Sequence, residues 1–519
     1  VHEPALTHPS DKFQPLAAMV WWLALTMLIV HVAVNAFGPY EFHRDEFLYL
    51  AMGRHLDWWR MDFPPLIAGI ARVTQLLGGG LEPWSVRLSS ALAGSALIVL
   101  AGWTARRLGG GTWAQGAAAL AVTVSPLFQR AGTLFQPVVF DQLWWTLGYG
   151  ALLLLRAEDR RRYWVFAAVV VGLGLLTKFS IGFFAVGVLV AVVMLPEWRG
   201  RLSTAPPYLA VGGALLLGAA SIVGQVRLGW PLREQMARLE AVQLARIGVT
   251  DFVVGQVLIG PALVLALVGL VTLLTWSRFR GARILGLATL SSFVLLAVLR
   301  GKAYYIGPIY PVLWGAGAVA IEVLSSQRWT ATIRRGVVAV LVLYGLVTLP
   351  FGLPVLPPEM MARYSAVAGP SSAVTTNVGV ALPLPQDYAD MLGWQQMVET
   401  VATVYWQLPE RERTQAVLVA DNYGEAGALD LYGPALGLPS AISAAGTYWQ
   451  FGPGPLPGEV VVVLGEQPEG LRKFADSVVV AARIANRWGV PEEQDLLVLI
   501  GRRPRTTMQS LWPSRAGNY

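Results

Sequence analysis

The sequence predicts an α-helical polytopic membrane protein carrying a small C-terminal α/β domain outside the membrane. Three observations lead there. Of 519 residues, 55% are hydrophobic and 14% charged, and the mean hydropathy is +0.52, whereas soluble globular chains carry about 25% charged residues. Apolar runs long enough to cross a bilayer recur between residues 16 and 353. From about Pro354 they give way to short apolar runs set between Gly/Pro turns.

The long runs fall near 16–37, 85–105, 112–129, 133–155, 163–177, 179–195, 208–226, 252–275, 282–299, 304–324 and 334–353, about eleven spans in all. The first lies behind a polar stretch with no small-residue cleavage site after it, so it is expected to be a span rather than a signal peptide. Basic residues follow every second span: Arg106 and Arg107; Arg156 and Arg160 to Arg162; Arg199 and Arg201; Arg278, Arg280 and Arg283; Arg328, Arg334 and Arg335. Because Lys and Arg collect in cytoplasmic loops, this alternation places the N-terminus inside and the region after Pro354 outside a plasma (inner) membrane. One outer loop breaks the pattern with Arg227, Arg233, Arg238 and Arg246. Phosphate or acidic lipid headgroups would account for those charges equally well.

Two domains follow, 1–353 in the membrane and 354–519 outside it, with the Pro-rich segment 350–358 as the boundary. In the second, AVLVA at 416–420 and EVVVVLG at 459–465 read as strands, and the stretch after Tyr423 reads as a helix.

Several function classes drop out early. There is no cysteine, hence no disulfide or thiolate chemistry. The net charge of +7 and pI near 9.6 belong to the basic loops; no basic stripe interleaves with aromatics as a nucleic-acid surface requires. No phosphate-binding loop, nucleophile elbow or dinucleotide fingerprint is present.

The connection 38–83, some 45 residues, is too long for a plain loop. Phe47, Leu50, Ala51 and Arg54 share one helical face, and Leu66, Ile67, Ile70 and Val73 another. Trp58 and Trp59 suit a lipid–water interface. The segment is expected to be an amphipathic helix pair lying along the outer membrane surface. His43, Arg44, Asp45 and Glu46 then cluster at a helix start, where carboxylates are favoured by the unpaired N–H groups. Helix capping alone would explain them. Two further features point to chemistry. Asp141 sits just inside the outer end of the fourth span, and an intramembrane acid is functional by default. Lys178, Arg300 and Lys302 reach the same face. Carboxylates on one wall and cations on another suit removal of a group from an anionic carrier: an acid activates a hydroxyl while the cations hold the leaving phosphate. The histidines show no metal spacing; His43 and His55, with Asp45, Glu46 and Asp62, are the residues a divalent metal would draw on, but the chemistry needs none.

Taken together, the RDE cluster at 44–46, the Pro64–Pro65 pair, Asp141, the Thr177–Lys178 pair and the K-x-YY-x-x-P-x-YP segment at 302–311 resemble the GT-C superfamily of membrane glycosyltransferases. The resemblance covers most of 16–325 and is nearest the bacterial relatives of protein O-mannosyltransferases and of lipid A aminoarabinose transferases. NYGEAGALDLYG at 422–433 also looks like their outer domain, without an assigned role. The resemblance implies a polyprenyl-phosphate-linked sugar donor, inversion at the anomeric carbon and an acceptor hydroxyl. It implies Asp45 at the reacting centre, helped by Glu46 or Asp141. Lys178, Arg227, Arg300 and Lys302 would face the donor phosphate. Tyr304 or Tyr305, the latter favoured, would line the site with His43, Arg44 and Asp62. One departure is that TKF at 177–179 stands where many relatives read TKG, which would alter the local turn. A transporter or flippase of lipid-linked sugars is the alternative; it would carry charges near the bilayer midplane and repeat symmetry, which the sequence lacks. A lipid-sugar polymerase or ligase is a second enzyme alternative.

Overall fold

The computed structural model describes residues 15–246, 248–325 and 330–515. Arg328 and the side chain of Arg246 lie outside the described residues. Among the described residues, six helices are long and apolar enough to cross a bilayer: Ala18–Phe37, Pro83–Arg107, Pro137–Ala157, Ser277–Val298, Ala303–Leu324 and Ala331–Gly352. Three more candidate spans are bent pairs: Ile181–Met194 with Pro196–Ser203 at 105°, Ala205–Leu217 with Ala219–Arg227 at 51°, and Val249–Ile259 with Ala262–Thr275 at 111°. Counting each pair as one span gives nine.

The two remaining runs of the expected eleven form shorter helices, Thr112–Val124 with 13 residues and Arg161–Thr177 with 17. The first stops early for a local reason. Ser125 precedes Pro126 and is extended, as a residue before proline prefers, so the helix restarts as Pro126–Thr133. Leu195 before Pro196 produces the 105° bend in the same way. Helices meet closely where side chains are smallest. A Cβ on Gly269 would lie 2.0 Å from the Leu313 carbonyl oxygen, and one on Gly317 would lie 2.0 Å from that of Leu265. The Ala262–Thr275 and Tyr310–Leu324 helices therefore touch backbone to backbone, as small-residue interfaces in lipid allow.

The basic connections meet at one end of the helices. Arg201 donates to the Leu155 carbonyl at 3.0 Å and pairs with Asp159. Glu322 accepts from the Gly111 N–H at 2.6 Å, and Arg334 donates to the Glu322 carbonyl.

At the other end the two expected loop helices are present as Arg44–Arg54 and Leu66–Leu76. The first does not lie on a surface. Phe47, Leu50, Ala51 and Met52 are fully buried, with the Phe47 ring against Trp394 and Tyr432 at 5.3 and 5.9 Å. The second buries Ile67, Ala68 and Ala71, one step round from the expected face. Its Val73 and Leu76 point outward with Leu77 and Leu81, an apolar rim suited to the interface.

The C-terminal region is α/β. Five strands, β1 (Ala416–Ala420), β2 (Ala441–Ser443), β3 (Val460–Leu464), β4 (Ala475–Ala485) and β5 (Asp495–Pro504), form one sheet in the order β2-β1-β3-β5-β4. β2, β1 and β3 run parallel; β5 is antiparallel to both β3 and β4. β3 reads VVVVL because both its faces are covered. Val461 and Val463 pack with Leu471, Leu499 and Trp512, while Val460, Val462 and Leu464 face the core shared with the rest of the chain. The Tyr423–Tyr432 helix links β1 to β2 and rests on the Arg44–Arg54 helix. Between residue 353 and the sheet, Leu384, Tyr388 and Met391 pack on Tyr40 and Leu134, so this segment is tied to the helical part.

Candidate active site

The site is built at the start of the Arg44–Arg54 helix. His43 is its N-cap: its backbone N–H donates to Glu46 Oε2 at 2.7 Å, and its Nδ1 accepts from the Asp45 N–H at 3.1 Å. Consecutive helical residues point about 100° apart, so this cap sends Asp45 and Glu46 to different surroundings. The Asp45 side chain is 31% exposed. Its Oδ2 accepts from Gln136 Nε2 at 3.0 Å, and its Oδ1 accepts from the Tyr423 hydroxyl at 2.8 Å. Glu46 is turned inward and fully buried. Arg87 donates to it from Nε at 2.8 Å and Nη2 at 2.7 Å, and the Phe135 N–H donates at 2.7 Å.

Asp45 opens onto a cavity of about 1460 Å³ between the helical part and the C-terminal sheet. One wall carries Lys178, Arg238, Arg300 and Tyr305; the roof carries Asp421, Asn422, Tyr423, Thr447 and Glu466. Arg44 and Asp62 also line it. Lys178 follows the Arg161–Thr177 helix in extended backbone and sits 4.7 Å from the Tyr305 ring centre and 5.9 Å from that of Tyr304. Phe179 does not adopt a positive φ, so the TKF turn needs no glycine. Arg300 does adopt one, at +54°, and projects into solvent at the cavity wall.

Asp62 is buried, and the Thr447 hydroxyl lies 3.0 and 3.1 Å from its two oxygens. Burial pushes its carboxyl up to about 6, partly offset by that hydroxyl. Behind Asp45, His43 Nε2 lies 3.9 Å from Asp387 and 3.8 Å from Asp390. Burial raises Asp390 to about 6 against the pull of His43 and Arg44. Asp387 is partly exposed; the Arg130 guanidinium beside it outweighs desolvation and holds its carboxyl low.

The other residues expected at the site are distributed as follows. Asp141 is enclosed in the Pro137–Ala157 helix beside Lys178, Ser180 and Trp145, and its Oδ1 has no well-formed hydrogen bond. Lys302 stands behind the cavity wall, donating to Asn377 Oδ1 at 3.2 Å, and shares the electrostatic field of Lys178, Asp387 and Asp45. Tyr304 packs edge-on against Tyr305 at 4.8 Å. Arg227 is exposed at the end of the Ala219–Arg227 helix and does not line the cavity; from its loop, Arg238 does. Among the described residues, no group of three or more His, Asp or Glu side chains is placed to hold a metal ion.

Sequence reasoning missed Arg87, Gln136, Tyr423, Thr447, Asp387 and Asp390. Arg87 carried a signal, since an arginine inside an expected span is as costly as Asp141. Tyr423 stood in a motif noted without a role. The others lack any local pattern.

Residues 62–223 match the family model for dolichyl-phosphate-mannose-protein mannosyltransferase. No curated protein sequence is significantly similar to the chain. Among solved structures, the chain is similar to ArnT from Cupriavidus metallidurans bound to undecaprenyl phosphate, with a TM-score of 0.59 and 16% identity over 93% of this chain and 97% of that one. The apo state of the same protein gives 0.60 at 16% identity over the same shares. The archaeal oligosaccharyltransferase AglB from Archaeoglobus fulgidus, in complex with an inhibitory peptide and a dolichol-phosphate, gives 0.52 at 11% identity over 86% and 69%. The fold expected from the resemblance to GT-C membrane glycosyltransferases is therefore the fold these structures share with the chain.

Proposed function

We propose that the protein is an inverting glycosyltransferase that moves a sugar from a polyprenyl-phosphate-linked donor to an acceptor hydroxyl on the outer face of the plasma membrane. The observation that carries this reading is the position of Asp45, which opens onto the cavity facing a wall of Lys178, Arg238 and Arg300. The match to a dolichyl-phosphate-mannose family and the fold shared with a protein solved with undecaprenyl phosphate support the donor class.

In this reading the donor phosphate rests near Lys178 and Arg300, with Lys302 adding to the field. The acceptor hydroxyl oxygen attacks the anomeric carbon from the side opposite the phosphate. The carbon–oxygen bond to phosphate breaks, its electrons leave on the polyprenyl phosphate, and the hydroxyl proton passes to Asp45. Negative charge grows on the leaving oxygen as the bond breaks, so the cations favour the transition state over the ground state. Asp141, near Lys178 but not ion-paired with it, places a negative charge behind that cation. Glu46, with both oxygens engaged inside the protein, serves as framework. The topology that suits this reading has eleven spans, with the Thr112–Val124 and Arg161–Thr177 helices as short ones. The basic connections then lie in the cytoplasm with the N-terminus, and the sheet lies outside.

The test is transfer of radiolabelled sugar from polyprenyl-phosphate donors to endogenous acceptors, in membranes holding wild type or Asp45→Asn at matched levels. Loss of about 10²- to 10⁴-fold is expected, the usual worth of a general base. Equal transfer would remove Asp45 from the chemistry. Donor crossing the membrane without transfer would favour a flippase.

A further inference from the structure

The C-terminal sheet turns its carboxyl edge toward the cavity. The chain leaves β1 for its neighbour on one side, β2, and then returns to pair on the other side as β3. The carboxyl ends of β1 and β3 thus form a topological switch point, where open α/β sheets bind ligands. The residues just beyond these strands, Asp421 to Tyr423 and Glu466, line the cavity, as do Gly446 and Thr447 beyond β2.

Tyr423 is the part of this edge that reaches the reacting centre. Asn422 caps its helix, accepting from the Gly424 and Glu425 N–H groups at 2.9 and 3.0 Å. The Arg44 guanidinium lies 5.1 Å over the Tyr423 ring. Between these two restraints the hydroxyl points at Asp45 Oδ1, 2.8 Å away. A second contact of the same kind, Thr447 on Asp62, joins the sheet to the same outer loop.

We propose that Tyr423 is a positioning residue for Asp45, so that the site is complete only when the C-terminal domain is docked; this rests on the glycosyl-transfer reading above. Each carboxylate oxygen accepts at two lone pairs. Tyr423 and Gln136 take one on each oxygen, fix the plane of the group and leave the others for an acceptor hydroxyl. Burial, then the Asp45 charge, hold the Tyr423 phenol well above its ordinary range, so it stays a donor. A donor to the charged form favours that form. The other titratable groups around Asp45 are His43 and Arg44 beside it, Tyr49 one turn on, Lys302 and Tyr304 across the cavity wall, and Asp390. Tyr423 alone among these donates to it.

The experiment uses the full chain as wild type, Tyr423→Phe, Asp45→Asn and the double variant. Transfer from undecaprenyl-phosphate-linked sugars to endogenous membrane acceptors is followed against pH. In parallel, carbodiimide labelling of Asp45 is followed against pH by peptide mass spectrometry. For Tyr423→Phe, kcat is expected to fall about 10- to 100-fold, the worth of a hydrogen bond to a charged group, with donor KM unchanged. The acid limb and the labelling midpoint should both move up, and no further loss should appear in the Asp45→Asn background. Incorporating 3-fluorotyrosine at position 423, a more acidic phenol of the same shape, should move the midpoint down. An unmoved midpoint in both Tyr423 replacements overturns the proposal. If Asp45→Asn transfers like wild type, the glycosyl-transfer role of Asp45 fails instead, and the labelling midpoint still decides the Tyr423 contact.

Discussion

Arg87 Nη2 lies 2.7 Å from Glu46 Oε2 with both side chains enclosed. The same guanidinium donates to the Glu41 carbonyl and to Asn35 Oδ1, so one buried cation ties the first span, the outer loop and the second span together. Breaking a buried pair leaves a lone charge and costs about 3–5 kcal/mol. Glu46→Gln is therefore expected to lower thermal stability in detergent by that order. Asp45→Asn, one residue away, should leave the unfolding curve nearly unchanged while lowering transfer about 10²- to 10⁴-fold. Parallel melting curves and transfer assays check this, and a Glu46→Gln protein as stable as wild type would argue against the framework role.

Asp62 sets a pH dependence of stability. Its carboxyl sits at about 6 when folded against an ordinary 3.8, because burial disfavours the charged form. The folded state therefore holds this proton more tightly than the unfolded state does. Its effect is most favourable below about pH 4, declines as pH rises through about 6, and levels off above. The decline is worth about 3 kcal/mol at about 1.4 kcal/mol per pH unit. Asp62→Asn should flatten this part of the stability–pH curve, read by chemical denaturation from pH 4 to 8. Thr447→Val should steepen it.

Lys178 lies against Tyr305 on the cavity wall facing Asp45. Lys178→Met keeps the chain length and removes the charge. If the cation meets the leaving phosphate, kcat/KM for the donor should fall about 10²- to 10³-fold, as when one charge-stabilising group is removed. Binding of undecaprenyl phosphate, followed by tryptophan fluorescence, should weaken alongside. Arg227→Met, exposed and away from the cavity, should change neither.

Gly427 marks how closely the two parts dock. A Cβ there would lie 2.5 Å from Phe47 Cβ and about 3 Å from its backbone. Gly427→Ala should push the Tyr423–Tyr432 helix off the outer loop, at the 1–3 kcal/mol typical of overpacking. It should raise proteolytic cleavage between residues 353 and 416. Transfer should fall although Asp45 is not substituted, because the Tyr423 hydroxyl is drawn off its carboxylate.

Much of the helical part was legible because lipid is an unforgiving solvent. Each crossing needs a continuous apolar run, and the connections at one end of the helices carry the Arg residues; both leave local traces. The helix ends were less legible, since Ser125–Pro126 and Leu195–Pro196 break runs that composition alone reads as unbroken. The outer loop showed its two helices but not their faces. Phe47 is covered by the Tyr423–Tyr432 helix, which no local periodicity announces.

The sequence by itself determined the membrane class, the strand–helix alternation after residue 416 and the placement of acids at a helix start. Only the tertiary structure decided which acid meets the cavity. Asp45 and Glu46 have the same chemistry and adjacent positions, and a rotation of about 100° between them gives one to the cavity and the other to Arg87. The partners that settle it are distant in the chain: Arg87 is 41 positions from Glu46, and Tyr423 is 378 from Asp45. A carboxylate's role is set by the donors and solvent around it, and packing assembles those from segments that carry no mark of one another.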